Sequence, residues 1–181
     1  MDDFATLIES NTLRMVRLVP GPIERVWDYL TIGEKRAEWL AGGDMAQESG
    51  GTVELVFTHK NLTPFDDDLP ENQHDIDCSD EHRMHGTVLV YDKPNRLTYT
   101  WESPDDSASK VTFELREEEN GMVRLVLTHQ NLTGMDEITS VSAGWHTHVA
   151  ILSAKLAGET PPPFWQTYYD LRAEYINRMY G

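Results

Sequence analysis

The chain has 181 residues, with 15 Lys and Arg against 31 Asp and Glu, a formal net charge of −16, and one cysteine, Cys78. That length suits a single domain over residues 1–181 with a buried core, 39 % hydrophobic content argues against wholesale disorder, and one thiol excludes an intramolecular disulfide. The acidic balance weighs against nucleic acid, and no apolar run reaches the ~18 residues of a membrane span; the start MDDFATLIES lacks a secretory pattern, so the expected compartment is the cytoplasm.

In chain order, Thr12 to Val19 reads as a strand stopped by Pro20-Gly21-Pro22. A short helix follows, with Ile23, Val26, Trp27 and Leu30 on one stripe, then a second from Glu34 to Leu40 ending at Gly42-Gly43. Beyond Gly50-Gly51, Val53, Leu55 and Phe57 alternate with polar residues as one face of a strand. An insertion from Pro64 to His82 then carries eight acids and no Lys or Arg, half of the net charge, and is expected to be a mobile, solvated rim. Four further strands are expected over Met84 to Tyr91, Arg96 to Glu102, Ser109 to Glu117 and Val123 to Asn131. Turns at Asp92 to Asn95, Ser103 to Asp106 and Glu118 to Gly121 join them. Leu97, Tyr99, Trp101, Val111, Phe113 and Leu115 mark the buried phase of this antiparallel meander, with Thr and charged residues facing outward. From Asp136, Ile138, Val141, Trp145, Val149, Leu152 and Leu156 recur at helical spacing until Gly158, the longest helix. After Pro161-Pro162-Pro163, a stripe from Phe164 to Met179 forms a final helix, making 159–181 an appendage of the same domain. The order is α+β, an antiparallel sheet with helices on one face, and a long helix across such a sheet encloses a cavity suited to apolar ligands.

One six-residue segment recurs: Thr58 to Thr63 (THKNLT) and Thr128 to Thr133 (THQNLT) share five letters. His59 and His129 continue the inward phase of their strands, so both imidazoles are expected on the concave side, either as polar contacts for a ligand or as local hydrogen-bonding groups at strand ends. In Gly144-Trp145-His146-Thr147-His148, His148 lies beside the buried stripe and His146 is turned about 100° from Trp145. The insertion offers His74, Asp75, Asp77, Cys78, His82 and His85, types that ligate metals, but the spacing Cys78-x₃-His82-x₂-His85 matches no compact zinc pattern. No nucleophile elbow, phosphate loop or H-E-x-x-H is present, so no catalytic residue, metal or cofactor is assigned.

Several segments together carry a resemblance: Pro22 to Leu30 (PIERVWDYL) followed by Trp39, Gly50-Gly51 before a strand, Gly86-Thr87-Val88, Pro94 to Trp101 (PNRLTYTW), Val111 to Leu115 (VTFEL), Leu125 to His129 (LVLTH), and Gly144 to His148 through Pro163-Phe164-Trp165 to Tyr175. In this order they resemble the SRPBCC (START/Bet v 1-like) superfamily, and within it the bacterial single-domain members of the branch named after the activator of Hsp90 ATPase. The resemblance implies a helix-grip fold: a curved antiparallel sheet of six or seven strands around a long C-terminal helix, two short helices after the first strand, and here an extra terminal helix. It also implies a hydrophobic cavity between sheet and helix, and the leading expectation is a small apolar ligand held there. Cavity candidates on the sheet side are Phe57, His59, Tyr99, Trp101, Phe113 and His129. On the helix side they are Trp39, Trp145 and His148. Two alternatives follow from relatives: a chaperone partner in an Hsp90-type co-chaperone role or a stress-related interaction protein, or a cyclase- or hydrolase-like enzyme using the cavity histidines.

Overall fold

A computed structural model describes residues 3–65, 81–103 and 108–181. Seven antiparallel strands form one curved sheet in the order β1-β2-β7-β6-β5-β4-β3. They are β1 (Thr6–Glu9), β2 (Thr12–Pro20), β3 (Thr52–Phe57), β4 (His82–Asp92), β5 (Arg96–Trp101), β6 (Ser109–Glu117) and β7 (Met122–Gln130). The helices are α1 (Ile23–Thr31), α2 (Gly33–Arg36), α3 (Gly134–Ala157) and α4 (Phe164–Tyr180). This is the expected α+β, helix-grip-like architecture. Most of the acidic insertion and the tip of the Ser103–Asp106 turn lie outside the described residues, so the expected mobile rim is not described.

The hairpins follow local chemistry. Between β6 and β7 the chain turns through Asn120 and Gly121, both at positive φ (61° and 73°), which Asn and Gly adopt most readily. Inward residues of β2, β7, β6 and β5, among them Met15, Leu127, Phe113 and Tyr99, are buried beneath α1 and α3. The stripe of α1 is buried as its spacing requires, and Trp27 meets Tyr91 edge-on at 5.2 Å. Gly158 ends α3 at φ 71°, and the Glu159 N–H donates to the Ala154 carbonyl at 2.8 Å, the closing bond of a left-handed C-cap. Arg25 reaches the same helix end, its Nη1 donating to the Leu156 carbonyl at 3.0 Å.

Four expectations need correction. The strand at Thr12 has a partner before it: β1 pairs antiparallel along it with all four side chains exposed, so no alternation of buried and polar residues marked it. The two short helices therefore follow the second strand. The second of them is one turn, Gly33–Arg36, because Arg36 takes hold of the carbonyls ahead of it instead of letting the helix run on to Leu40. Thr98, Thr100 and Thr112, placed on the exposed face, are buried. Their hydroxyls are satisfied within the sheet: Thr98 and Thr112 bond each other at 3.0 Å, and Thr100 Oγ1 accepts the Thr87 N–H at 2.9 Å beside an irregularity in the β4–β5 register. Finally, α3 buries more than one stripe: Ser142, Ala143, Thr147, Ile151 and Ala154 are buried besides the expected positions. The helix is sandwiched between the sheet and α4, and small residues on its second face admit the neighbouring helix closely. Across that contact Ser140 Oγ meets the Tyr168 hydroxyl at 2.8 Å. The Tyr175 hydroxyl accepts the Ala5 N–H at 2.8 Å and lies 3.1 Å from His146 Nδ1, tying the N-terminal segment, α3 and α4 together.

Candidate functional site

A partly open pocket of about 220 Å³ lies where the ends of β3, β4 and β5 face the middle of α3. Its apolar wall comes from Leu40, Phe57, Met84, Trp101, Val141 and Trp145. Its polar groups are His59, His82, Glu102 and His148. Gly144 completes the wall, and a Cβ built on it would meet no atom within 4 Å. A helix-interior glycine costs roughly 1 kcal/mol relative to alanine; here the missing side chain is open space on the pocket side of α3.

Of the nine sequence candidates, Phe57, His59, Trp101, Trp145 and His148 line this pocket. Trp39, Tyr99, Phe113 and His129 do not; they form the layer behind it. Trp39 gives its indole N–H to the Tyr29 carbonyl at 2.8 Å and meets Phe113 edge-on at 6.4 Å. Phe113 in turn packs edge-on against Trp145, ring centroids 5.7 Å apart. Tyr99 stacks on Trp101 at 6.4 Å, and burial pushes its phenol well above the ordinary range, with the Arg36 charge partly opposing. His129 is fully buried and bonded at both nitrogens. Trp145 Nε1–H donates to His129 Nδ1 at 2.9 Å, so the ring proton sits on Nε2 and goes to Ser109 Oγ at 3.0 Å. That Ser109–His129–Trp145 chain fixes the plane of the indole forming the pocket wall.

The two pocket histidines are held differently. His148 is anchored through Nδ1 to the Trp39 carbonyl at 2.7 Å. Burial holds its pKa down to about 3, the neighbouring His59 adding to the effect and the Trp39 bond opposing it. His59 does not continue its strand as expected; β3 ends at Phe57 and His59 opens a short 3₁₀ turn through Asn61. Ring contacts place it: it stacks on Phe57 at 5.9 Å and lies 4.6 Å from Phe164 and 5.7 Å from His148. Burial, with His82 nearby, lowers its pKa to about 4. Both imidazoles are therefore neutral at physiological pH, and at such pKa values they are weak general bases.

Sequence reasoning missed Arg36. It is fully buried and, among the described residues, has no carboxylate partner, its Nε donating to the Ala41 carbonyl at 2.9 Å and its Nη2 to the carbonyls of Gly42 and Gly43 at 3.1 and 2.7 Å. Burial lowers its pKa, while Tyr99 and Asp44 act to raise it. By gathering these carbonyls Arg36 sets the course of the segment that puts Leu40 on the pocket and the Trp39 carbonyl under His148. Met84, by contrast, was legible as an inward strand residue, and Gly144 as a glycine inside a helical pattern. His82 entered only among the metal-type residues of the insertion, and Glu102 carried no pattern of its own.

Of the metal-type residues in the insertion, His74, Asp75, Asp77 and Cys78 lie outside the described residues. Among the described residues no group of three or more His, Cys, Asp or Glu is placed to hold a metal ion. No described helix is long and apolar enough to cross a membrane.

A curved antiparallel sheet closed by a long helix, with a small aromatic pocket between them, defines a helix-grip protein of the SRPBCC type. The chain belongs to the family described as activator of Hsp90 ATPase homolog 1-like protein, whose sequence profile matches residues 20–157. The solution structure of a Bordetella parapertussis protein, encoded by gene BPP1335, is 38 % identical with a TM-score of 0.79, covering 98 % of this chain and 91 % of its own. CalU16 from Micromonospora echinospora shares the fold at 18 % identity and TM-score 0.66, over 94 % of this chain and 89 % of its own. DynU16, a protein in the dynemicin biosynthetic locus, does so at 17 % identity and TM-score 0.63, over 87 % of this chain and 51 % of its own. A search of curated proteins finds no match.

Proposed function

We propose that this protein binds a small, mainly apolar molecule in the pocket between the sheet and α3. The observation that carries this reading is the wall itself: Phe57, Trp101 and Trp145 converge on about 220 Å³ of space, and a helix-interior glycine borders it without a side chain. The volume is below the roughly 300–1,000 Å³ of sites for drug-sized ligands. It exceeds the ~150 Å³ apolar cavity known to take up benzene. The ligand is thus about the size of one aromatic ring with a substituent or two. Weakly basic, neutral histidines favour recognition over proton-transfer chemistry at this site.

Native mass spectrometry of the purified protein, followed by solvent extraction, is expected to find a co-purifying small organic molecule. Gly144→Leu, which projects a side chain into the open space, is expected to abolish its retention while the far-ultraviolet circular dichroism stays unchanged. Retention by the Gly144→Leu protein at the wild-type level would place the ligand elsewhere and overturn the reading.

A further inference from the structure

The hydrogen bond that anchors His148 also fixes the character of its free edge. A carbonyl oxygen only accepts, so the 2.7 Å contact with Trp39 puts the ring proton on Nδ1. The neutral ring then presents an unprotonated Nε2, and among the described residues nothing donates to it, although the ring lines the pocket. A second acceptor group stands at the rim, the side chain of Glu102. No Lys or Arg among the described residues lines this space, and segments 66–80 and 104–107 contain none in their sequence. An anion entering the pocket would lose its hydration with no cation to replace it, close to a carboxylate, an expensive transfer. A neutral molecule with a donor would satisfy that lone pair in place of solvent.

We propose that the ligand is an uncharged, single-ring aromatic carrying a hydroxyl or N–H, a phenol-type molecule whose donor reaches His148 Nε2 while Trp101 and Trp145 contact its ring. This rests on the pocket reading above and narrows it to a chemical class. His59, at the pocket mouth and 5.7 Å from His148, places a second imidazole beside the same end.

Isothermal titration calorimetry of the full chain against four probes of matched ring size tests it: p-cresol, toluene, 4-methylanisole and p-toluate. p-Cresol is expected to bind about tenfold more tightly than toluene or 4-methylanisole, the yield of one net hydrogen bond, and p-toluate is expected to bind weakest. His148→Phe keeps a ring and removes the lone pair, so p-cresol should fall to the level of toluene; should that variant not fold, the wild-type series decides alone. Equal affinity for p-cresol, toluene and 4-methylanisole would overturn donor recognition and leave the pocket reading standing. Tightest binding of p-toluate would overturn the exclusion of anions. No binding by any of the four, together with unaltered ligand retention in Gly144→Leu, would bring down both readings.

Discussion

His59 and His129 stand in near-identical six-residue segments, at the ends of β3 and β7, and they have different fates. β7 is central: His129 is opposite Leu13 on one side and Val111 on the other, so two ladders hold the strand in phase and drive the imidazole fully into the core. β3 is the last strand of the sheet: β4 pairs along one side, only isolated bridges from Gly42 and Met45 meet the other, and its ladder stops at Phe57 opposite His82. His59 therefore leaves the strand geometry and leans across the pocket mouth, held by aromatic rings. The shared letters encode a shared ending, since both Leu62 and Leu132 are buried anchors. The role of each histidine is set by whether the neighbouring ladders reach it, on both sides for His129 and on neither for His59.

Acid should weaken both positions, and separate them only at its lower end. An imidazole with a folded pKa below its unfolded value of ~6.5 binds fewer protons when folded, so its stabilising share is complete above pH 6.5 and is lost as pH falls toward the folded value. For His129 and His148, both held near pH 3, the loss at pH 5 is about 2 kcal/mol each. Urea unfolding at pH 7, pH 5 and pH 3 measures it. His129→Gln, which no longer titrates, should reduce the loss at pH 5 by about 2 kcal/mol, and His59→Gln, replacing a ring held near 4, by nearly as much; only near pH 3 should His129→Gln spare more, by about 1 kcal/mol. An equal reduction in both variants at pH 3 would erase the distinction drawn between them.

At constant pH the largest effect is expected from His129→Ala, about 3 kcal/mol of destabilisation at pH 7, because it opens a core cavity and strands the indole N–H of Trp145 and the hydroxyl of Ser109. The change should also shift the tryptophan fluorescence, as the Trp145 indole loses its anchor. Ser109→Ala removes only the outer member of the chain and should cost about 1 kcal/mol, the price of one buried N–H left unpaired, measured by the same denaturation.

The elements visible in the sequence were those whose pattern one neighbour layer explains. β3 to β7, the stripe of α1 and the stop at Gly158 follow from period-2 alternation, helical spacing and a positive-φ glycine. β1 escaped because a wholly exposed edge strand has no alternation to show. The second buried face of α3 escaped because Ser142, Ala143 and Thr147 are buried for their small size, and composition does not distinguish a close helix contact from a solvated surface. At the site, aromatic residues of the inward phase were legible as a group. Their division into wall and backing was not, since it depends on Arg36 gathering the carbonyls of residues 41–43 and on Trp145 spending its N–H on His129. A fully buried arginine bonded to backbone carbonyls leaves no mark in a sequence read for charge.

The smallest expected change in stability sharpens the comparison from the other side. His59→Ala removes a partly buried ring that makes stacking contacts and, among the described residues, no hydrogen bond, so the cost should be about 1 kcal/mol or less. The same truncation widens the pocket mouth between Phe57 and Phe164, and exchange of a bound aromatic probe should become faster. Stopped-flow displacement of p-cresol reads that rate directly: a several-fold increase in dissociation rate with nearly unchanged urea stability is expected for His59→Ala. A large loss of stability with an unchanged dissociation rate would mean that His59 serves the fold as His129 does, and that strand position does not determine what these two histidines do.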